Sequence, residues 1–259
     1  MTITFSKYQG AGNDFILLDN RDLSTKLSTE QIARLCDRRF GIGADGFMLL
    51  ETQDGYDFKM VYYNADGREG SMCGNGGRCI TRFAFDCGIH RECYHFIAVD
   101  GPHIATLEED SNIRLQMKDV PTVENHPSYD FLDTGSPHVV ITVNDINEVD
   151  VVKEGREIRY SGAFGEKGTN VNFVMALDNS GIYVRTYERG VEDETFSCGT
   201  GVTASALMSA HNDLGFNHVD VKTKGGNLYV EYEKTGESSF KNIWLAGPAD
   251  KVFEGTALL

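Results

Sequence analysis

Positive charge is scarce in this sequence. Its 24 lysines and arginines face 39 aspartates and glutamates, for a formal net charge of −15 and a pI near 4.8. No basic cluster is dense enough to neutralise a run of phosphates, which excludes a nucleic-acid-binding reading. The acidity says little about the substrate, because net charge mainly governs solubility and association kinetics. Long apolar runs are missing too: none approaches the roughly 18 residues of a membrane span. The opening MTITFSKYQG lacks the charged start and apolar core of a signal peptide, which predicts a cytoplasmic protein. No C-x-x-C occurs, and six cysteines (Cys36, Cys73, Cys79, Cys87, Cys93, Cys198) in such a chain read as reduced thiols. Cys73, Cys79, Cys87 and Cys93 are separated by five, seven and five residues, with His90 and His95 among them. Those spacings match no common zinc pattern, and most of the span reads as helical. Neither a metal nor a pyridoxal cofactor is expected.

What is present is ordinary in bulk and unusual in detail. At 259 residues, 41% hydrophobic and 24% charged, the chain is one large domain or two small ones. MCGNGGRC (Met72–Cys79) and SCGTGVTA (Ser197–Ala204) each place Cys-Gly-x-Gly before a helical pattern, with leading cysteines 125 residues apart. After the first, Ile80, Phe83, Ala84 and Cys87 share one helical face, and Gly88 supplies a stop. After the second, Leu207, Ala210 and Leu214 do the same, with a stop at Gly215. A strand-like run precedes each helix, FKMVYYNADG and IYVRTYERG, and short alternating runs follow each.

The offsets agree between the halves. Asn64 lies nine residues before Cys73, and Glu188 lies ten before Cys198. Gly101 follows Cys73 by 28 residues, and Gly225 follows Cys198 by 27. AGNDFILL opens the first half and GSPHVVIT the second. This ordered series predicts an internal duplication with a seam near residues 118–134, dividing the chain into 1–118 and 119–259, with strands free to exchange between the halves. The fold class is α+β: two duplicated halves, each a curved, mostly antiparallel sheet around one principal helix, with the active site in the cleft between them. The charged stretch Val149–Lys167 reads as a connection with short strands.

A glycine-rich turn opening a helix leaves backbone N–H groups without intrahelical partners, and the helix dipole adds partial positive charge. That combination binds anions. A cysteine there has its thiolate favoured, so it suits acid/base or nucleophilic work. One such cysteine is more simply a small core residue. Two copies in duplicated halves favour a function: one thiolate removes an α-proton while a facing thiol delivers another, with N–H donors holding the charge on the carboxylate.

The motifs FSKYQGAGNDF, DRRFGIGADG, YNADGREGSMCGNGGRC, SPH, TNVNFV and YERGVEDETFSCGTG together resemble the diaminopimelate epimerase family nearly end to end. The resemblance implies a cofactor-independent enzyme that interconverts LL- and meso-diaminopimelate for lysine and peptidoglycan-precursor synthesis. It implies Cys73 and Cys198 as the acid/base pair. Backbone N–H groups of Gly74, Asn75, Gly199 and Thr200 would bind the reacting carboxylate. Asn13, Asn64, Asn170, Glu188 and Arg189 would line the pocket, Arg189 being suited to the distal carboxylate, and His138 and Ser136 would support the site. The implied partner is the amino-acid substrate, and a homodimer is compatible with the resemblance. Two positions depart from the pattern: Ser136 stands where many members have asparagine, and Gly46 where some have glutamine. The rival readings are a proline or hydroxyproline racemase of the same fold and a non-catalytic redox or metal-binding thiol protein.

Overall fold

The computed structural model describes residues 2–70, 72–178, 180–209 and 213–259. They form two units, one of residues up to 115 together with 247–259, the other of residues 116–246.

In the first unit, β1 (Thr2–Gly10) and β2 (Asn13–Asp19) make an antiparallel hairpin. Its two turn residues, Ala11 and Gly12, both have positive φ (52° and 83°), which matches the twist of the flanking strands. Helix α1 (Thr29–Cys36), opened by a capping box between Ser28 and Gln31, leads to β3 (Gly46–Glu51), parallel to β2. β4 (Phe58–Asn64) returns antiparallel. Helix α2 (Gly74–Asp86) then crosses to β5 (Tyr94–Ala98), parallel to β4, and β6 (Gly101–Leu107) and β7 (Ile113–Gln116) follow as an antiparallel meander.

The second unit repeats this order. A short β8 (Glu124–Asn125) edges β9 (Asp130–Asp133), which pairs antiparallel with β10 (Pro137–Thr142). Helix α3 (Val151–Arg159) leads to β11 (Asn170–Ala176), parallel to β10, and β12 (Ile182–Glu188) returns antiparallel. A short β13 (Asp193–Thr195) folds back on the end of β12. Helix α4 (Gly199–Leu207) crosses to β14 (Gly215–Thr223), parallel to β12, and β15 (Gly226–Gly236) and β16 (Ser239–Gly247) run antiparallel after it. The last strand, β17 (Asp250–Leu258), pairs with β1 and belongs to the first unit. The alternation of antiparallel and parallel pairs is the same in both units, so the duplication read from motif offsets is a duplication of topology.

Each sheet is covered on both faces, which is why its middle strands read as continuous apolar runs. In the first unit Ile16, Leu18, Phe47 and Leu49 pack with Ile32 and Leu35 of α1. The alternate residues, such as Phe15, Leu17, Met48 and Leu50, are buried on the other face. That face belongs to α2, which touches β1, β2, β3, β4, β6 and β17. In the second unit Val139, Val171, Phe173 and Tyr187 pack with Val151 of α3, while α4 touches β10, β11, β12, β14 and β15.

Two expectations are corrected. Val149–Lys167 forms helix α3 and a single 3-10 turn (Gly162–Phe164) rather than a connection with strands. With α1 its counterpart, each half carries, among the described residues, a second helix beside its principal one, α2 or α4. Helix α4 ends at Leu207 instead of continuing to Gly215; Ala210 lies outside the described residues, and Leu214 is 75% exposed. Within its bounds α4 is buried nearly all round and so needs no apolar stripe. No helix among the described residues is long and apolar enough to cross a membrane.

Candidate active site

Cys73 is the N-cap of α2, with extended backbone (φ −110°, ψ 151°), and its sulfur accepts a hydrogen bond from Gly76 N at 3.2 Å. Four of the first five residues after Cys73 are glycine or asparagine, a poor composition for a helix. Packing explains the choice. A Cβ on Gly76 would stand 3.2 Å from Cys73 Sγ and 3.3 Å from Met60 Cε, and one on Gly77 would meet Leu115 at 3.0 Å. Glycine lets this turn press onto the sheet.

Asn13, at the start of β2, brings its Oδ1 within 4.0 Å of Cys73 Sγ and 3.4 Å of Asn75 Nδ2. It is aimed by Asp45, which accepts its Nδ2 at 2.7 Å and is itself held by Arg38 at 2.8 Å. Arg38 also grips Asp14, as does the buried Lys7, which further donates to the carbonyl of Gly43. Burial opposes ionisation of Asp14, but hydrogen bonds from Arg38 and Lys7 outweigh it and hold the carboxyl down at about 2. Beneath the turn lies Arg78, fully buried. Its guanidinium donates to Asn75 Oδ1 (3.0 Å), Gly74 O (3.4 Å) and Pro248 O (3.5 Å). A buried cation therefore sits under Gly74 and Asn75, the residues proposed to meet a carboxylate.

Asn64 is exposed at the end of β4, where its backbone closes a turn with Gly67. Gly46 and Gly70 flank Tyr62: a Cβ on either would come within 2.6–2.9 Å of that ring, and one on Gly70 would also lie 2.9 Å from Asn64 Nδ2. Gly46 thus has no room for a side chain, because Tyr62 fills the space.

In the second unit Cys198 is the N-cap of α4, 8% exposed. Its sulfur lies 3.5 Å from Thr200 Oγ1, which lies 2.9 Å from His138 Nε2 and 3.3 Å from Ser136 Oγ. Ser136 Oγ also lies 3.0 Å from His138 Nε2 and accepts Asn170 Nδ2 at 3.1 Å. Ser136 is thus a hub of this network despite being the shorter residue. Asn170 Oδ1 accepts the backbone N–H of Arg189 at 2.9 Å, tying the end of β12 to the cluster. The guanidinium of Arg189 donates to Lys167 O at 3.3 Å, and Glu188 is half-buried beside it on β12. Burial pushes the His138 imidazole down to about 3, against the pull of Asp133 and with help from Arg189.

Asn13, Gly74 and Asn75 are gathered around Cys73, and Ser136, His138, Asn170, Arg189 and Thr200 around Cys198. Asn64 and Glu188 occupy matching places, each the last residue of the strand that returns antiparallel on its predecessor, β4 on β3 and β12 on β11. Sequence reasoning missed Arg78, Tyr62, Asp45 and Asn172. Asn172 was within reach: it lies two residues after Asn170 on one strand, hence on the same face. No three His, Cys, Asp or Glu side chains among the described residues are arranged to hold a metal ion.

The duplicated α+β arrangement is a class of fold shared with several solved structures. A phenazine biosynthesis PhzF-family protein from Bacillus anthracis superposes with a TM-score of 0.77 at 15% identity, covering 100% of both chains. A hydroxyproline epimerase from Agrobacterium vitis gives 0.69 at 12% identity, covering 100% of this chain and 93% of that one. At such identities the likeness is one of fold. Sequence is more specific: the family model described as diaminopimelate epimerase matches residues 5–123 and 131–252. A diaminopimelate epimerase of Flavobacterium psychrophilum is 51% identical, over 96% of this chain and 98% of its own length. That of Chlorobaculum tepidum is 42% identical, over 96% and 99%. The chain belongs to the diaminopimelate epimerase family.

Proposed function

We propose that this protein is a cofactor-independent diaminopimelate epimerase of the cytoplasm, inverting one α-carbon between the LL and meso forms. The observation that carries the reading is the pair of equivalent cysteines, each the N-cap of a buried helix in one of two topologically duplicated units. A thiolate at one cysteine takes the α-proton, and the thiol of the other gives its proton to the opposite face of the carbanion. The sulfurs exchange protonation states, so the reverse reaction uses the same groups. Backbone N–H groups of Gly74, Asn75, Gly199 and Thr200 hold the reacting carboxylate as charge builds on it. Asn13, Asn64, Asn170 and Glu188 line the pocket, Arg189 pairs with the distal carboxylate, and Ser136 and His138 brace Thr200.

Purified protein should convert LL-diaminopimelate to the meso form without added metal or cofactor. Cys73→Ala and Cys198→Ala should each lower the rate by at least about 10³-fold, because inversion needs both groups. Racemisation of proline in place of diaminopimelate turnover would overturn the assignment in favour of a racemase.

A further inference from the structure

We infer that Asn172 is a positioning residue that fixes the tautomer of His138, making the imidazole a hydrogen-bond donor to Thr200 and, through it, to the Cys198 sulfur. The inference rests on the reading of Cys198 as an acid/base thiol.

Asn172 lies fully buried on β11, beside Val140 of β10 on one side and opposite Thr186 of β12 on the other. Its Nδ2 stands 2.8 Å from the carbonyl oxygen of Val139. A carbonyl can only accept, so the atom facing it is the NH₂ group, and the orientation of the amide is settled. Thr186 agrees, its hydroxyl donating to Asn172 Oδ1 at 2.9 Å. The second N–H of the amide meets His138 Nδ1 at 3.1 Å. A ring nitrogen that receives a hydrogen bond carries no proton, so the single proton of the neutral imidazole is on Nε2. That N–H faces Thr200 Oγ1 at 2.9 Å and Ser136 Oγ at 3.0 Å. With its lone pair engaged by His138, the Thr200 hydroxyl has its own hydrogen for the Cys198 sulfur, 3.5 Å away.

Every donor in this chain points one way, from Asn172 through His138 and Thr200 to the thiol. Such a chain favours sulfur that is negative. It also leaves His138 without a lone pair toward the thiol, since the bare nitrogen is turned to Asn172. His138 therefore orients and polarises Thr200 and does not receive the Cys198 proton. The motif makes room for this. A Cβ on Gly201, the second glycine of the SCGTG turn, would stand 2.3 Å from Asn172 Oδ1 and 3.3 Å from His138 Cε1.

The test is the ¹⁵N spectrum of protein labelled at histidine, with the His138 signals assigned by their loss in His138→Gln. The expected result is a bare, pyridine-type Nδ1 and a protonated Nε2, with no substrate needed. A protonated Nδ1 in the unsubstituted protein overturns the inference, whatever the enzyme turns over. In Asn172→Asp the carboxylate can only accept from Nδ1, so the Nδ1 signal should become that of a protonated nitrogen. Turnover of diaminopimelate by that variant should then fall in kcat by on the order of 10²-fold, with KM little changed, as when one transition-state donor is misdirected. An Nδ1 signal left bare in the variant, or a converted signal with undiminished kcat, contradicts the role given to Asn172. Failure of the unsubstituted protein to act on diaminopimelate would sink the proposed function, while the spectrum would still report the tautomer.

Discussion

Gly201→Ala should destabilise the protein although alanine is the better helix former. Gly201 is the third residue of α4, and its missing Cβ would lie 2.3 Å from Asn172 Oδ1 and 3.3 Å from both His138 Cε1 and Thr186 Oγ1. Ordinary contact begins near 3.4 Å, so the Asn172 amide must retreat by about 1 Å. That movement breaks the 2.9 Å bond from Thr186 or the 3.1 Å bond to His138, both buried. Overpacking a core costs about 1–3 kcal/mol, and stranding one buried polar group costs about 1–3 kcal/mol more. The gain from replacing a helical glycine is only about 1 kcal/mol. The net expectation is a loss of roughly 1–5 kcal/mol, read as a fall in melting temperature of roughly 3–15 °C for a chain of this size. Gly162→Ala is the control, since nothing stands within 4 Å of its added Cβ, and its midpoint should barely move. A Gly201→Ala protein that melts with the unsubstituted one, and keeps its kcat, would refute the packing argument.

Other perturbations address recognition and charge. Arg189→Lys replaces a forked donor by a point charge, and should slow turnover of diaminopimelate by on the order of 10²-fold while leaving the fold intact; kinetics near those of the unsubstituted enzyme would place Arg189 outside the pocket. Asp14 has its folded carboxyl held at about 2, below the unfolded value near 4, so its contribution is present above pH 4 and is lost as pH falls toward 2. Asp14→Asn should accordingly lower stability at pH 7 by about 2 kcal/mol and flatten the decline between about pH 5 and 2, which denaturant titrations across that range would show.

The duplication was legible because it is written in spacing: Asn64 and Glu188 end equivalent strands, and both cysteine turns open the helices expected of them. Helix α3 was hidden for a physical reason. Only Val151 and Gly155 of its nine residues are buried, so no apolar stripe marks it. Gly155, which reads as a breaker, is there because a Cβ would stand 2.4 Å from Tyr187 Cβ. Helix α4 misled in the opposite way, being buried on nearly every side and so carrying no period to read. Arg78 looks in sequence like any surface cation on a helix. Its burial under Gly74 and Asn75 depends on strands far away in the chain, which no local pattern records. Asn172 shows the same limit, since its role follows from three strands in register and not from its neighbours in sequence.

The central claim is that two separate thiols act on one α-carbon, and its most direct measurement is early-time isotope incorporation in deuterated water. A thiol that equilibrates with solvent between turnovers gives up a solvent-derived hydron, while the thiolate that takes the substrate's proton does so on the other face. Starting from protiated LL-diaminopimelate, newly formed meso product should carry deuterium at the inverted carbon, and remaining substrate should stay largely unlabelled. Early product that retains the substrate's own proton, or substrate and product labelled at equal rates, would mean one exchanging base serving both faces and would contradict the account.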